Sequence, residues 1–478
     1  MIEGILIGLS TALSIQNILM VMIGCFFGTI IGMLPGLGPM TAIALMIPIT
    51  YGFDPATGLI LMAGVYYGAV FGGSTSSILL NAPGVPGTVA TSFDGYPMAQ
   101  QGKAGKALAI AARSSFAGGT LAAIYLLFMA PSLSKVSLSF RSPDYFALMI
   151  LGLTAIAAFS SKGQFLKAMM MVVLGLMLAS VGQDSLSDIT RFTFNNMNLT
   201  DGISFVLVVM ATFAMSEALT IILKRNDPTA AAKQVSLTEL GSIKINKEER
   251  SKMLKTIPRT SVMGFIIGVL PGAGATIASF LAYGMERNLV KDEEKEKFGK
   301  GSVHGLAAPE TAKNAACSGA FVPLLTLGIP GSGTTAVMLG ALLGFGIQPG
   351  PRLYITNPEI FWSVIMSMYV GMVILLILNL PLIPYIARIL AVPRTFLIPM
   401  ILFFSVTGIY LMSFNTFDIF LMIGIAVVAT GLRLYKFPMP PLILAFVLGG
   451  LMEENLRRSL LISDGSFNFL YDLSLIHI

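Results

Sequence analysis

Long apolar runs constrain this chain more than any other feature. Residues 56–80 hold no charged side chain, and further runs fall near 16–34, 41–50, 104–130, 143–161, 165–181, 202–223, 260–284, 315–346, 358–391, 395–413, 416–431 and 440–452. Only 11% of the 478 residues are charged and 55% are hydrophobic, whereas a soluble domain carries about 25% charged residues. No aqueous fold covers so much apolar surface. Lipid accepts it, and a spanning helix there needs roughly 20 apolar residues. A barrel would instead show alternating segments of about 10 residues. The chain is therefore expected to be all-α, a multi-pass membrane protein of about 10–12 transmembrane helices with re-entrant or discontinuous segments.

The net charge of +6 does not point to nucleic acid, because the basic residues sit in polar loops between apolar runs. From Lys224 to Arg259 the chain turns polar and holds nine Lys or Arg, which the positive-inside rule places in the cytoplasm. Glu286–Lys300 carries mixed charge and reads as a solvated connection. Cys25 and Cys317 stand alone in small-residue contexts, as packing residues. Met1–Leu34 lacks a basic n-region and reads as a retained first helix.

Two Pro-Gly breaks interrupt the apolar runs, and both recur. Gly32-Met33-Leu34-Pro35-Gly36-Leu37-Gly38 returns as Gly268-Val269-Leu270-Pro271-Gly272-Ala273-Gly274. Gly84-Val85-Pro86-Gly87-Thr88 returns as Gly328-Ile329-Pro330-Gly331-Ser332. The offsets, 236 and 244 residues, are close enough to indicate an internal duplication. It divides the chain into a first membrane repeat (1–223), a basic cytoplasmic loop (224–259) and a second membrane repeat (260–472). Helix parity decides whether the repeats are parallel or inverted.

Proline removes a backbone donor, and glycine opens conformations closed to other residues. In lipid such breaks persist only inside protein or along a wet cavity. Freed carbonyls there can coordinate a cation, and freed amides can hold an anion. The alternative is a simple kink. The expected binding positions are therefore Pro35, Gly36, Gly38 and Thr41, with Pro271, Gly272, Gly274 and Thr276 in the second repeat. Beside the second break stand Ser74, Thr75, Ser76, Ser77, Asn81, Gly84, Pro86, Gly87 and Thr88, and later Ser318, Thr326, Gly328, Pro330, Gly331, Ser332 and Thr334. Their hydroxyls suit a carboxylate or Na⁺, or else serve as glue between helices. Glycines at 24, 28 and 32 and at 64, 68 and 72 line helix faces for close packing.

Ionisable residues in apolar context need weighing one by one. Glu310 and Lys313 can pair at i, i+3, either as an interfacial pair or in an ion or substrate role. Arg113 either attracts an anion or reaches to the interface. Glu217 reads as interfacial, and Asp94 as a loop residue. No phosphate-binding Gly-Lys-Ser/Thr loop and no His cluster occur, so an enzyme is the weaker class and no cofactor is expected.

Several segments closely resemble the large membrane subunit of tripartite tricarboxylate transporters. They are GMLPGLGPMTAIALMIPITYGFDPATGLILMAGVYYGAVFGGSTSSILLNAPGVPGT from Gly32, GVLPGAGATIASFLAYGMER from Gly268, AAPETAKNAACSGAFVPLLTLGIPGS from Ala307 and LGGLMEENLRRSLLIS from Leu448. The resemblance implies a secondary transporter of the bacterial inner membrane. It would work with a small four-helix membrane subunit and a periplasmic solute-binding protein. Uptake of citrate or other carboxylates would be driven by a Na⁺ or H⁺ gradient. Alternatives are a permease of the same fold for another organic solute, or one working without a binding protein. Members of that family continue with a further apolar helix. Here residues 473–478, LSLIHI, resemble a translated sequencing adapter, so the second repeat is expected to be truncated.

Overall fold

The computed structural model describes residues 2–34, 37–158, 164–184, 189–223, 241–272, 274–386 and 394–470. Pro35, Gly36, residues 224–240 of the basic loop and the hexapeptide 473–478 lie outside them. The described chain is almost wholly helical, which bears out the all-α membrane architecture. One two-residue strand pair, Gly182–Gln183 with Thr190–Arg191, is the exception among the described residues.

The first half opens with α1 (Ile2–Ala12), α2 (Ile15–Met33), α3 (Gly38–Thr50) and α4 (Pro55–Leu80). A 3₁₀ turn (Pro86–Thr88) leads into α5 (Val89–Gln100), then α6 (Ala104–Ser137), α7 (Ser142–Ala158) and α8 (Phe165–Ala179). The next crossing runs through α9 (Phe205–Val209), a π turn (Met210–Met215) and α10 (Ser216–Leu223). The second half begins with α11 (Lys247–Val269), α12 (Gly274–Leu289), the short α13 (Asp292–Lys295), α14 (Val303–Gly319), α15 (Phe321–Leu327) and α16 (Gly333–Gly344). It continues with α17 (Leu353–Thr356), α18 (Pro358–Asn379), α19 (Ile383–Ile386), α20 (Arg394–Ser413), α21 (Thr416–Leu434) and α22 (Pro440–Ile462).

Local chemistry sets many of these boundaries. Asp54 caps α4 by accepting the Thr57 amide at 3.0 Å, with Pro55 at the first helical position. Asn246 and Glu249 form a reciprocal capping box at the start of α11. α4 stops where Asn81 turns left-handed at φ 51°, and α15 stops where Gly328 does so at φ 69°.

Six helices are long and apolar enough to cross a bilayer singly, among the described residues. α3, α5 and α16, at 13, 12 and 12 residues, are too short to do so. Each hangs from a Pro-Gly break, and together they form the discontinuous segments. Two helices make the centre: α4 is buried along nearly its whole length, and so is α14 from His304 to Gly319. The outer helices turn Phe26, Phe27, Val173, Phe403 and Phe420 outward, as a lipid-facing belt does.

The glycine stripes dock α2 on α4. A Cβ on Gly24 would meet the Leu61 carbonyl, one on Gly28 the Val65 carbonyl and one on Gly32 the Ala69 carbonyl, at 2.5, 2.3 and 2.1 Å. The ascending order shows that the two helices run parallel, with α3 returning between them. In the second half a Cβ on Gly264 would meet the Ala312 carbonyl and one on Gly268 the Ala316 carbonyl, at 2.3 Å each, so α11 and α14 repeat the arrangement.

The structure also corrects the register of the second repeat. Gly84 abuts the Gly32 carbonyl and Gly73 Cα, and it is Gly331 that abuts the Gly268 carbonyl and Ala320 Cα. Left-handed Asn81 then matches left-handed Gly328. The equivalence runs at an offset of 247 residues, so Gly84 pairs with Gly331 and not with Gly328.

Three isolated charges also sit differently from expectation. Asp94 lies within α5, not in a loop, and is buried. Its Oδ1 accepts the amides of Gly299, Gly301 and Ser302 at 2.7–2.9 Å. Glu286, at the head of the segment read as solvated, is fully buried. It accepts from Arg259 and Thr256 and contacts His304 Nδ1 at 2.9 Å. Glu217 is buried rather than interfacial, 2.5 Å from Arg433 of α21. The Arg433 guanidinium also takes the Thr212 carbonyl at 2.9 Å, within the π turn, where the helical ladder is disturbed.

Candidate functional site

The breaks of both halves converge on one cavity of about 390 Å³. α3 brings Pro39 and Met40 to it. The turn before α5 brings Val85, Pro86 and Gly87. α12 brings Gly274, Ala275 and Thr276, and α16 brings Ser332, Gly333 and Thr334. Pro440 and Pro441 of α22 complete a ring of helix beginnings. The first amides of a helix have no intrahelical acceptor, and each N-terminus carries roughly half a positive charge. Among the described residues, no Asp, Glu, Lys or Arg lines the cavity. Its field therefore comes from peptide dipoles, and it favours an anion.

The geometry follows from the local sequence. Gly38 and its equivalent Gly274 adopt φ 64° and 59°, which starts α3 and α12 sharply. Gly272 donates its amide to the Gly331 carbonyl at 3.0 Å, which ties the two breaks of the second half together. Ser332 caps α16: its Oγ accepts the Thr335 amide at 3.2 Å, and Thr335 Oγ1 accepts the Ser332 amide at 2.9 Å. A Cβ on Gly87 would sit 3.6 Å from Ala275 Cβ, so the two halves meet at the cavity.

The expected site residues that the structure describes divide into three groups. Pro86, Gly87, Gly272, Gly274, Thr276, Ser332 and Thr334 line the cavity. Gly38, Thr41, Asn81, Gly84, Thr88, Pro271, Gly328, Pro330 and Gly331 shape the turns or the packing behind it. The hydroxyl run beside Asn81 does not reach the cavity. Ser76 and Ser77 donate to the Gly73 carbonyl at 3.2 and 2.8 Å, and Thr75 is buried in α4. Ser74 turns to Glu310. Ser318 pairs with the Tyr67 hydroxyl at 2.7 Å, and Thr326 donates back to the Val322 carbonyl. Arg113 is half-buried on α6 and does not line the cavity. Tyr66, Val70, Gln164 and Pro438 do line it. Of these, proline next to the paired prolines at 440 and 441 was a readable break signal.

A duplicated helical membrane fold whose broken segments point helix starts at one uncharged cavity defines a transporter-type membrane protein. The chain belongs to the tripartite tricarboxylate transporter TctA family, whose model matches residues 18–444. It is 42% identical over 465 residues to an uncharacterised 52.8 kDa protein from the TAR-I ttuC′ 3′ region of Agrobacterium vitis, covering 97% of this chain and 91% of the relative. A second protein, from the TAR-II ttuC′ 3′ region of the same organism, is 43% identical over 202 residues, covering 42% of this chain and 83% of its own. No solved structure matches the chain.

Proposed function

We propose that this protein is the permease subunit of a binding-protein-dependent secondary transporter that takes up tricarboxylates or related carboxylates through the bacterial inner membrane. One observation carries the reading: a ring of helix N-termini surrounds a cavity that, among the described residues, has no charged side chain. A multiply charged carboxylate finds favourable dipoles there, yet no fixed cation strong enough to hold it permanently. The volume falls within the roughly 300–1,000 Å³ of small-molecule sites. Family membership supports two partners, a small four-helix membrane subunit and a periplasmic solute-binding protein that delivers the substrate. An ion gradient, Na⁺ or H⁺, drives accumulation.

Proteoliposomes that hold the chain with the small membrane protein and the binding protein encoded beside it provide the test. They are expected to accumulate a labelled carboxylate when an ion gradient is imposed. Gly87→Val, which projects a side chain into the cavity, is expected to cut uptake at least tenfold. Absence of gradient-driven uptake across a panel of tri- and dicarboxylates would count against the proposal, as would wild-type uptake by Gly87→Val.

A further inference from the structure

Glu310 and Lys313 lie one turn apart on α14, both fully shielded, with Nζ 2.8 Å from Oε1. The carboxylate gathers three hydroxyl donors as well. Ser74 of α4 reaches Oε2 at 3.0 Å, Ser115 of α6 reaches it at 2.6 Å, and Thr91 of α5 reaches Oε1 at 2.5 Å. Lys313 Nζ also donates to Ser74 Oγ. Four helices from both halves thus meet at one carboxylate. Beside it is a space of about 10 Å³ lined by Phe71, Ser115 and Asn379, the size of a single water. Asn379 is itself buried and its Oδ1 has no partner.

A pair buried this completely is a poor device for stability, because desolvating two charges offsets most of their attraction. Ionisable groups at membrane depth more often mark an ion path. The pair is also linked to the cavity. Tyr66 lines the cavity, and its hydroxyl interacts with Ser332 on the wall and with Cys317. Cys317 follows Lys313 by one turn. A second link is α5, preceded by Gly87 at the cavity and holding Glu310 through Thr91.

We propose that Glu310 is the proton-binding group of a proton–carboxylate symport, with Lys313 as its built-in counter-charge. This rests on the transporter reading above and supplies its coupling ion. The Lys313 ammonium occupies the place that a metal cation would take among these oxygens, so the species left to exchange is a proton. When Glu310 gains a proton, Lys313 loses its counter-charge in a buried site. A carboxylate entering the cavity then restores the negative charge. Each ligand favours the other, and linkage makes the effect reciprocal. The O–H bond formed at Glu310 from water on one side is broken to water on the other. Other titratable groups on these helices are Tyr66 and Tyr67 on α4, Asp94 and Tyr96 on α5, Lys106, Arg113, Tyr125 and Lys135 on α6, and His304 and Cys317 on α14. Asp94 is held by the 299–302 amides, and His304 by Glu286 and Thr256. Among the described residues, none of these ten groups bonds to the Glu310 carboxylate, whose partners are Ser74, Thr91, Ser115 and Lys313.

The test is labelled citrate or malate uptake by proteoliposomes of the complete transport complex, free of Na⁺, with and without an inward proton gradient. The wild type should accumulate substrate by up to about tenfold per pH unit for one proton carried. Glu310→Gln should accumulate no more with the gradient than without it. If that variant does not fold, Glu310→Gln combined with Lys313→Met removes both buried charges and should show the same loss of gradient response. Full gradient response in either variant overturns the inference alone. So does wild-type accumulation that follows a Na⁺ gradient at equal pH and ignores the proton gradient. A wild type that moves no carboxylate even in counterflow overturns the proposed function, and this inference with it.

Discussion

Single glycines near the cavity differ sharply in what they tolerate. Gly84 and Gly87 are three residues apart in one break. A Cβ at Gly84 would lie 1.8 Å from the Gly32 carbonyl oxygen, a backbone atom that cannot swing aside, whereas one at Gly87 would make ordinary contacts of 3.4–3.6 Å. Gly84→Ala should therefore lower the thermal stability of the detergent-purified protein by about 3 kcal/mol, and Gly87→Ala by less than about 0.5 kcal/mol. Equal melting temperatures for the two variants would contradict the close approach. Sequence alone could not separate these positions, because both read as glycine in a Pro-Gly break. It also misaligned the repeat here. GVPG and GIPG match by eye, but the register is set by Asn81 and Gly328, two different residues in the same left-handed conformation. Asparagine tolerates that conformation, and so it concealed the equivalence.

Between elements, two charged contacts make contrasting predictions. Arg433 of α21 pins α10 and the π turn through Glu217, Ser216 and the Thr212 carbonyl. Arg433→Met should cost on the order of 2 kcal/mol, because it leaves Glu217 buried near apolar surface. Adding Glu217→Leu should recover most of that loss, as read by thermal unfolding of the three proteins. At the start of α11, burial acts to raise the Glu249 carboxyl, but hydrogen bonds from Lys106 and the Asn246 amide outweigh it, and the group titrates below its ordinary value. A depressed carboxyl stabilises fully above the unfolded value of about 4.3 and loses that contribution as pH falls through its folded value. Protection against hydrogen exchange at the first turn of α11, with intrinsic exchange rates divided out, should accordingly fall below about pH 4 in the wild type and hold steady there in Glu249→Gln. The break sites, the glycine stripes and the i, i+3 pair were all legible from spacing, since each follows from local rules. The convergence of five separated helix starts with Tyr66 and Gln164 was not legible, because only long-range packing brings them together.

For the molecule as a whole, the contact between halves at Gly87 and Ala275 offers a direct probe of motion. Their Cβ separation of 3.6 Å suits a disulfide, and the native Cys25 and Cys317 are buried. Gly87→Cys with Ala275→Cys should cross-link on oxidation. If transport rocks one half against the other, the residual uptake of the reduced double variant should stop on oxidation and return with reductant. Continued uptake in the oxidised protein would show that this contact stays closed through the cycle. The uncharged cavity has a further consequence, for selectivity. A ring of peptide dipoles reads negative charge but offers few side chains to check the shape of what carries it. If the protein is the permease proposed above, it is permissive by construction, and the choice of cargo passes to whatever hands it over. On that proposal one membrane chain of this kind would serve several delivery proteins, and new diets would become accessible by changing the messenger while the gate stays the same.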